Sequence, residues 1–143
     1  MKIRILENEN ELAVDIRCES ANDRVLKLRE HIELFEHKIC AHREGETHYI
    51  RASEALYFES VDERTFLYAD REVFEVNMRL YELEDALSPA GFLRVSKSAV
   101  VNLNRISSLR PELNRNIIAT MENGERVVIS RSYVKKLRSI LEI

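Results

Sequence analysis

An α+β fold, mainly β with short covering helices, is what this sequence predicts. Three observations lead there. Apolar and polar residues alternate over many short runs separated by turn residues, the mark of half-buried strands. Only a few stretches carry the 3-4 spacing of an amphipathic helix, and each is short. With 45% hydrophobic and 33% charged residues over 143 positions, the chain can fill a core beneath a heavily solvated surface. A chain of this size buries roughly two-thirds of its unfolded surface and needs no disulfide staples. Cys18 and Cys40 lack framework spacing and read as reduced thiols of a cytoplasmic protein. No apolar run approaches the ~20 residues of a membrane span, and the start carries no signal-peptide core.

Taken in order, Lys2–Leu6 and Leu12–Cys18 alternate around the polar turn Glu7-Asn8-Glu9-Asn10, which predicts a strand pair. Ser20-Ala21-Asn22-Asp23 then opens a helix to about Glu36, with Val25, Leu28, Ile32 and Phe35 as its seam. That seam suits either docking on the chain's own sheet or dimerisation. Lys38–His42 and Thr47–Arg51 flank a turn at Arg43-Glu44-Gly45-Glu46. A short strand follows at Leu56–Glu59, then a pair, Thr65–Ala69 and Glu72–Val76, across Asp70-Arg71. Asn77 caps a predicted helix over about Met78–Leu87 with Leu80, Leu83 and Leu87 inward, and Ser88-Pro89-Ala90-Gly91 stops it.

From Phe92 to Ile106 two strands are interrupted by Ser96-Lys97-Ser98, and Ile117–Thr120 and Arg126–Ile129 form a hairpin around Asn123-Gly124. Ser130 then caps a final helix with Val134, Leu137 and Leu141 inward. Residues 1–37 are thus expected as an α+β (β-β-α) extension that packs on or dimerises next to a core of residues 38–143.

Charge is segregated. Residues 91–143 hold ten basic and four acidic side chains, leaving twelve basic and 21 acidic in residues 1–90, although the whole chain is only −3. The cations and small hydroxyls of the basic part fall at strand ends and at a helix start, where they can project beyond a sheet. Local positive potential of this kind attracts a phosphate backbone.

Other chemistries fit less well. His37, Cys40 and His42, flanked by His31 and His48, lack the second ligand pair of a zinc site. Ser132-Tyr133-Val134-Lys135 matches Ser-x-x-Lys, but the companion motifs of a lysine-activated serine are missing. Three glycines cannot build a phosphate-cradling loop. No cofactor, metal or catalytic residue is expected, and an enzyme is not.

Phe92-Leu93-Arg94-Val95-Ser96-Lys97-Ser98, Val101-Asn102-Leu103-Asn104-Arg105-Ile106 and Ile129-Ser130-Arg131-Ser132-Tyr133, with Leu56-Tyr57-Phe58-Glu59-Ser60 upstream, together resemble the LytTR-type DNA-binding domain of bacterial transcription regulators. The resemblance covers roughly residues 38–143. It implies an elongated β core whose loops enter successive major grooves on one face of a duplex. The reading loops would be Glu63-Arg64-Thr65, Ser96-Lys97-Ser98 and Arg131-Ser132. Arg64, Thr65, Lys97, Arg131 and Ser132 would then contact bases, and Arg94, Ser98, Tyr133 and Lys135 phosphates. Asp62 and Glu63 oppose phosphate contact in the first loop, though a carboxylate can accept from cytosine.

The implied partner is double-stranded DNA in promoter regions, read as direct repeats or by a homodimer, by a stand-alone regulator, since 37 residues are too few for a receiver domain. The competing reading is a protein-interaction module that uses the Val25–Phe35 seam and has no DNA target.

Overall fold

A computed structural model describes residues 1–35 and 37–143. It contains α1 (Asp23–Phe35), β1 (Lys38–Arg43), β2 (Glu46–Arg51), β3 (Tyr57–Val61), β4 (Arg64–Tyr68), β5 (Val73–Val76), α2 (Leu80–Leu87), β6 (Phe92–Ser96), β7 (Ala99–Asn102), β8 (Ile106–Pro111), β9 (Ile117–Met121), β10 (Arg126–Ile129) and α3 (Arg131–Leu141). Short 3-10 turns lie at Ala52–Glu54, Ser88–Ala90 and Leu103–Arg105. The predicted α+β class with many short strands is what forms.

Seven strands make one antiparallel sheet in the order β2-β1-β5-β4-β3-β7-β6, and β10-β9-β8 make a second. Two cores result. On one face of the large sheet Phe58, Leu67, Phe74 and Val100 pack with the α2 stripe Leu80, Leu83 and Leu87. On the other, Leu93, Val95 and Val101 meet Ile117, Ala119, Val127 and Ile129 of the small sheet and Leu137 of α3. Every residue of β7 is buried because this strand has cover on both sides, which explains the apolar run Ala99-Val100-Val101.

Turn chemistry sets the register. The β1–β2 and β3–β4 hairpins each close over two residues with positive φ, Glu44-Gly45 and Asp62-Glu63, the geometry that matches strand twist. Gly91 ends the 3-10 turn after α2 at φ 93°, and a Cβ there would lie 2.7 Å from Asn104 Nδ2. That amide in turn donates to Ala90 O at 2.9 Å, tying the turn to the strand junction. Buried Asn102 has a partner at both side-chain polar atoms, donating to Ala55 O and accepting from Asn104 N–H.

Four expectations are corrected. The strand pair over residues 2–6 and 12–18 does not form, and Ile3, Ile5, Leu12 and Val14 stand exposed. Helices and the small sheet already cover both faces at the centre of the large sheet, so no apolar surface there remains for this segment. α2 begins at Leu80 rather than Met78, because Glu82 accepts from the Arg79 N–H at 3.1 Å and closes the helix there. The strand β8 was not anticipated: a bulge between Ile106 and Ser108 breaks the alternation that would have marked it. Ser130 stands at the N-cap of α3, but its hydroxyl makes no capping bond, and Asn116 Oδ1 takes the Arg131 N–H instead, at 2.9 Å.

α1 lies on its own chain. Asn22 Oδ1 caps it by accepting from the Val25 N–H. Leu34 packs at the edge of the first core, and His31 Nδ1 donates to Pro89 O at 2.9 Å. The attachment is shallow: none of the helix residues is buried, and Phe35 remains 58% exposed.

Candidate nucleic-acid interface

Antiparallel pairing decides which loops meet. Glu59 is opposite Ala99, so the β3–β4 tip and the β6–β7 turn lie at one end of the sheet, joined by Ser60 N–H to Ser98 O at 2.8 Å. Ser130 N–H donates to Val95 O at 2.8 Å, which sets the start of α3 beside the β6–β7 turn. Asn116 then links the start of α3 to the β8–β9 tip. Four loops therefore form one continuous rim in the order β3–β4, β6–β7, α3 start, β8–β9.

Lys97, Ser98, Arg131, Ser132 and Lys135 are exposed on or just behind this rim, with Tyr133 half-buried. Among the described residues, no carboxylate lies within 4.0 Å of Lys97, Arg131 or Lys135. Their charge is thus available to an external anion. The opposite end of the sheets carries Asp70, Glu122 and Glu125. There Arg105, from the basic stretch, is held by Asp70 and Glu122 at 2.9 Å each and by Ser53 O. That cation is internal, so charge counting along the chain overstates what the rim presents.

Individual residues differ from the sequence expectation. Arg94 turns inward to the β6–β7 turn, where Nε donates to Ser96 O and Nη2 to Lys97 O, both at 2.7 Å. It holds the loop that presents Lys97. Thr65 is a correction: only 7% exposed, it faces inward from β4, opposite Ser60 on β3 and Val76 on β5. The two-residue turn at Asp62-Glu63 leaves it inside the strand ladder, so it cannot serve as part of a loop.

Arg64 sits at the same tip but is engaged, with Nε 2.9 Å and Nη2 2.6 Å from the two Glu75 carboxylate oxygens. The bidentate pair raises the Arg64 pKa and holds the Glu75 carboxyl below the usual glutamate range. With Asp62 and Glu63 exposed beside it, the first tip is net negative.

The β8–β9 tip is the part of the rim that sequence reading missed. Asn114-Arg115-Asn116 between two apolar runs was the available signal. Its relevance depends on β8, whose bulge hid the strand. Two further features lie away from the rim. Tyr57 and Tyr68 stack at 4.4 Å, and burial together with the hydrogen bond to Glu125 pushes the Tyr57 phenol far above its ordinary range. A cleft between α1 and the core, lined by Leu34, Phe35, Ala90 and Phe92, encloses about 180 Å³. Ligand pockets begin at roughly 300 Å³. Among the described residues no group of three or more His, Cys, Asp or Glu side chains could hold a metal ion. No helix among them is long and apolar enough to cross a membrane.

Residues 45–142 match the profile of the LytTr DNA-binding domain. The chain is 30% identical over 138 residues, 95% of this chain and 93% of the relative, to an HTH-type transcriptional regulator of Staphylococcus aureus strain COL. It is 29% identical over 147 residues, 100% of this chain and 99% of the relative, to the corresponding regulator of strain MSSA476. A LytTr DNA-binding domain from Bacillus cereus superposes with a TM-score of 0.71 at 27% identity, over 74% of this chain and 97% of that one.

Proposed function

The chain belongs to the LytTr DNA-binding domain family, and from that premise we propose that it is a transcription regulator that binds double-stranded DNA sequence-specifically through its four-loop rim. The observation that carries this reading is the meeting of Lys97 and Arg131, two exposed cations with no carboxylate partner among the described residues, on loops joined through Ser130 and Val95. A major groove about 12 Å wide admits such loops, and its edges distinguish all four base pairs. Lys97, Arg131 and Ser132 read bases in this proposal, while Ser98, Tyr133 and Lys135 contact phosphates and fix register. Arg94 positions the second loop. The first tip contributes through carboxylate acceptors, since Arg64 reaches a base only by leaving Glu75.

The relatives carry the description HTH-type. In this chain every described α-helix is separated from the next by strands, and α2 is buried along its stripe, so recognition falls to loops and the start of α3. Loops stiffened by two sheets suit this task, because little ordering entropy is lost on binding.

Selection of duplexes from a random pool at near-physiological salt tests the reading. A recurring motif is expected among the bound duplexes, with binding that weakens steeply as salt rises. A pool that emerges without enrichment, from a protein that also fails to stay on heparin, refutes it. A second reading, self-association or partner binding through the N-terminal extension, is favoured by the exposed Ile3, Ile5, Leu12, Val14 and Phe35. A two-fold homodimer would read inverted half-sites, and two monomers side by side would read direct repeats. Sedimentation with and without residues 1–22 separates them, since a monomer in both cases excludes the dimer.

A further inference from the structure

We propose that the β8–β9 tip is a minor-groove contact that flanks the major-groove loops, with Leu113 as an apolar wedge and Arg115 as its cationic clamp. The inference rests on the duplex-binding rim proposed above. Leu113 is exposed to 105% of its reference area, the most exposed of the large apolar side chains. It does not owe that exposure to a loose loop. The tip is tied by Glu112 N–H to Asn116 O at 2.9 Å, Arg115 N–H to Glu112 O at 3.1 Å and Asn116 N–H to Asn114 Oδ1 at 3.0 Å. Asn116 then fastens the tip to the first amide of α3. A leucine on a stiff hairpin end, beyond any apolar neighbour, is placed to enter something.

Position and charge identify the occupant. The rim continues from β7 and β6 through β10 to β9 and β8, because Ser130 N–H bonds Val95 O. The β8–β9 tip is the last loop of the rim, separated from the β6–β7 turn by the start of α3. Along a duplex a major groove and the adjoining minor groove are about 17 Å apart, so a tip beyond the major-groove loops on the same face meets a minor groove next. The charge at the tip favours a polyanion. Glu112 is balanced by Arg110, with Nη2 3.0 Å from Oε1, while Arg115 is exposed and has no carboxylate within 4.0 Å among the described residues. A basic hairpin carrying one apolar side chain suits a groove whose base steps can be wedged apart and whose narrow, negative floor draws arginine. The stacked bases offer Leu113 the apolar cover that its own chain does not.

The test uses a duplex selected by the parent protein and two chemical footprints. Hydroxyl radicals report the minor groove through the sugars, and guanine N7 methylation reports the major groove. The parent is expected to protect the central major-groove positions and, to one side, a short minor-groove segment. Leu113→Ser combined with Arg115→Asn should lose only the flanking protection and flatten the salt dependence by about one unit. Asn tolerates the positive φ of 72° at position 115, and both side chains are exposed, so the fold should survive. Unchanged thermal unfolding of the variant checks this. Flanking protection that persists in the variant, or is missing in a parent that protects the central positions, overturns the minor-groove contact alone. A parent that protects neither groove overturns the duplex-binding reading and this inference together.

Discussion

Replacing Arg94 with alanine separates a residue that shapes a loop from one that touches DNA. In the fold its guanidinium donates to Ser96 O and Lys97 O at 2.7 Å each, across the bulge between Arg94 and Ser96. Hydrogen bonds from a charged donor contribute about 1.5–3 kcal/mol each when well shielded. Arg94 is half-buried, so about 2 kcal/mol for the two together is a fair upper figure. Unfolding followed by circular dichroism should then show a midpoint lower by about 4–8 °C.

The binding effect has a different origin. Freed from Arg94, the turn must be ordered again on contact with DNA, at about 1 kcal/mol for each of two residues. That weakens specific binding roughly 30-fold. Since Lys97 and Ser98 remain present, the slope of log affinity against log salt should stay that of the parent. Fluorescence anisotropy on a selected duplex at several salt concentrations measures both quantities. A variant of unchanged stability whose salt slope falls by about one unit would refute the positioning role and identify Arg94 as a phosphate contact.

The remaining predictions concern the rest of the rim. Arg131→Ala should lower affinity for the selected site by ~1–3 kcal/mol and relax base preference at one position, and equal loss on scrambled duplexes would refute a base contact. Lys135→Ala should weaken all sequences alike and reduce the salt slope by about one unit, so an unchanged slope excludes the phosphate contact. Asp62→Asn with Glu63→Gln should weaken binding to the selected site by about 1–3 kcal/mol, and tighter binding at low salt would show that the tip approaches phosphates instead. The Glu75 carboxyl, held low by Arg64, stabilises the fold above its unfolded pKa and loses that contribution as pH falls through its lower folded value. In Arg64→Ala its NMR titration should move up in pH, and an unmoved midpoint would show that the ion pair does not form in solution.

Local pattern carried much of the fold. The stripe Leu80, Leu83 and Leu87, the stop at Ser88-Pro89-Ala90-Gly91, and the hairpins at Glu44-Gly45 and Asn123-Gly124 all follow from periods of 3.6 or 2 and from backbone freedom at a few positions. These are short-range properties, so they can be read without knowing what packs where. The concentration of cations after position 91 is likewise a property of the chain. Where the reading failed, strand pairing had decided what alternation alone leaves open. Thr65 lies in the ladder because two residues sufficed for the turn before it, and residues 2–6 and 12–18 alternate like strands yet find no ladder in this chain.

What required the folded chain was the fate of each charge. Arg105, Arg64 and Arg94 look alike in sequence to Lys97 and Arg131, but long-range carboxylates and turn carbonyls claim the first three. Only strand pairing brings the loops after β3, β6, β10 and β8 to one edge, and only there does Leu113 become a projecting tip. Secondary structure rests on neighbours a few residues apart, and the pattern records it. A binding surface rests on groups tens of residues apart, whose proximity is decided by hydrogen bonds between strands and by what the cores leave outside.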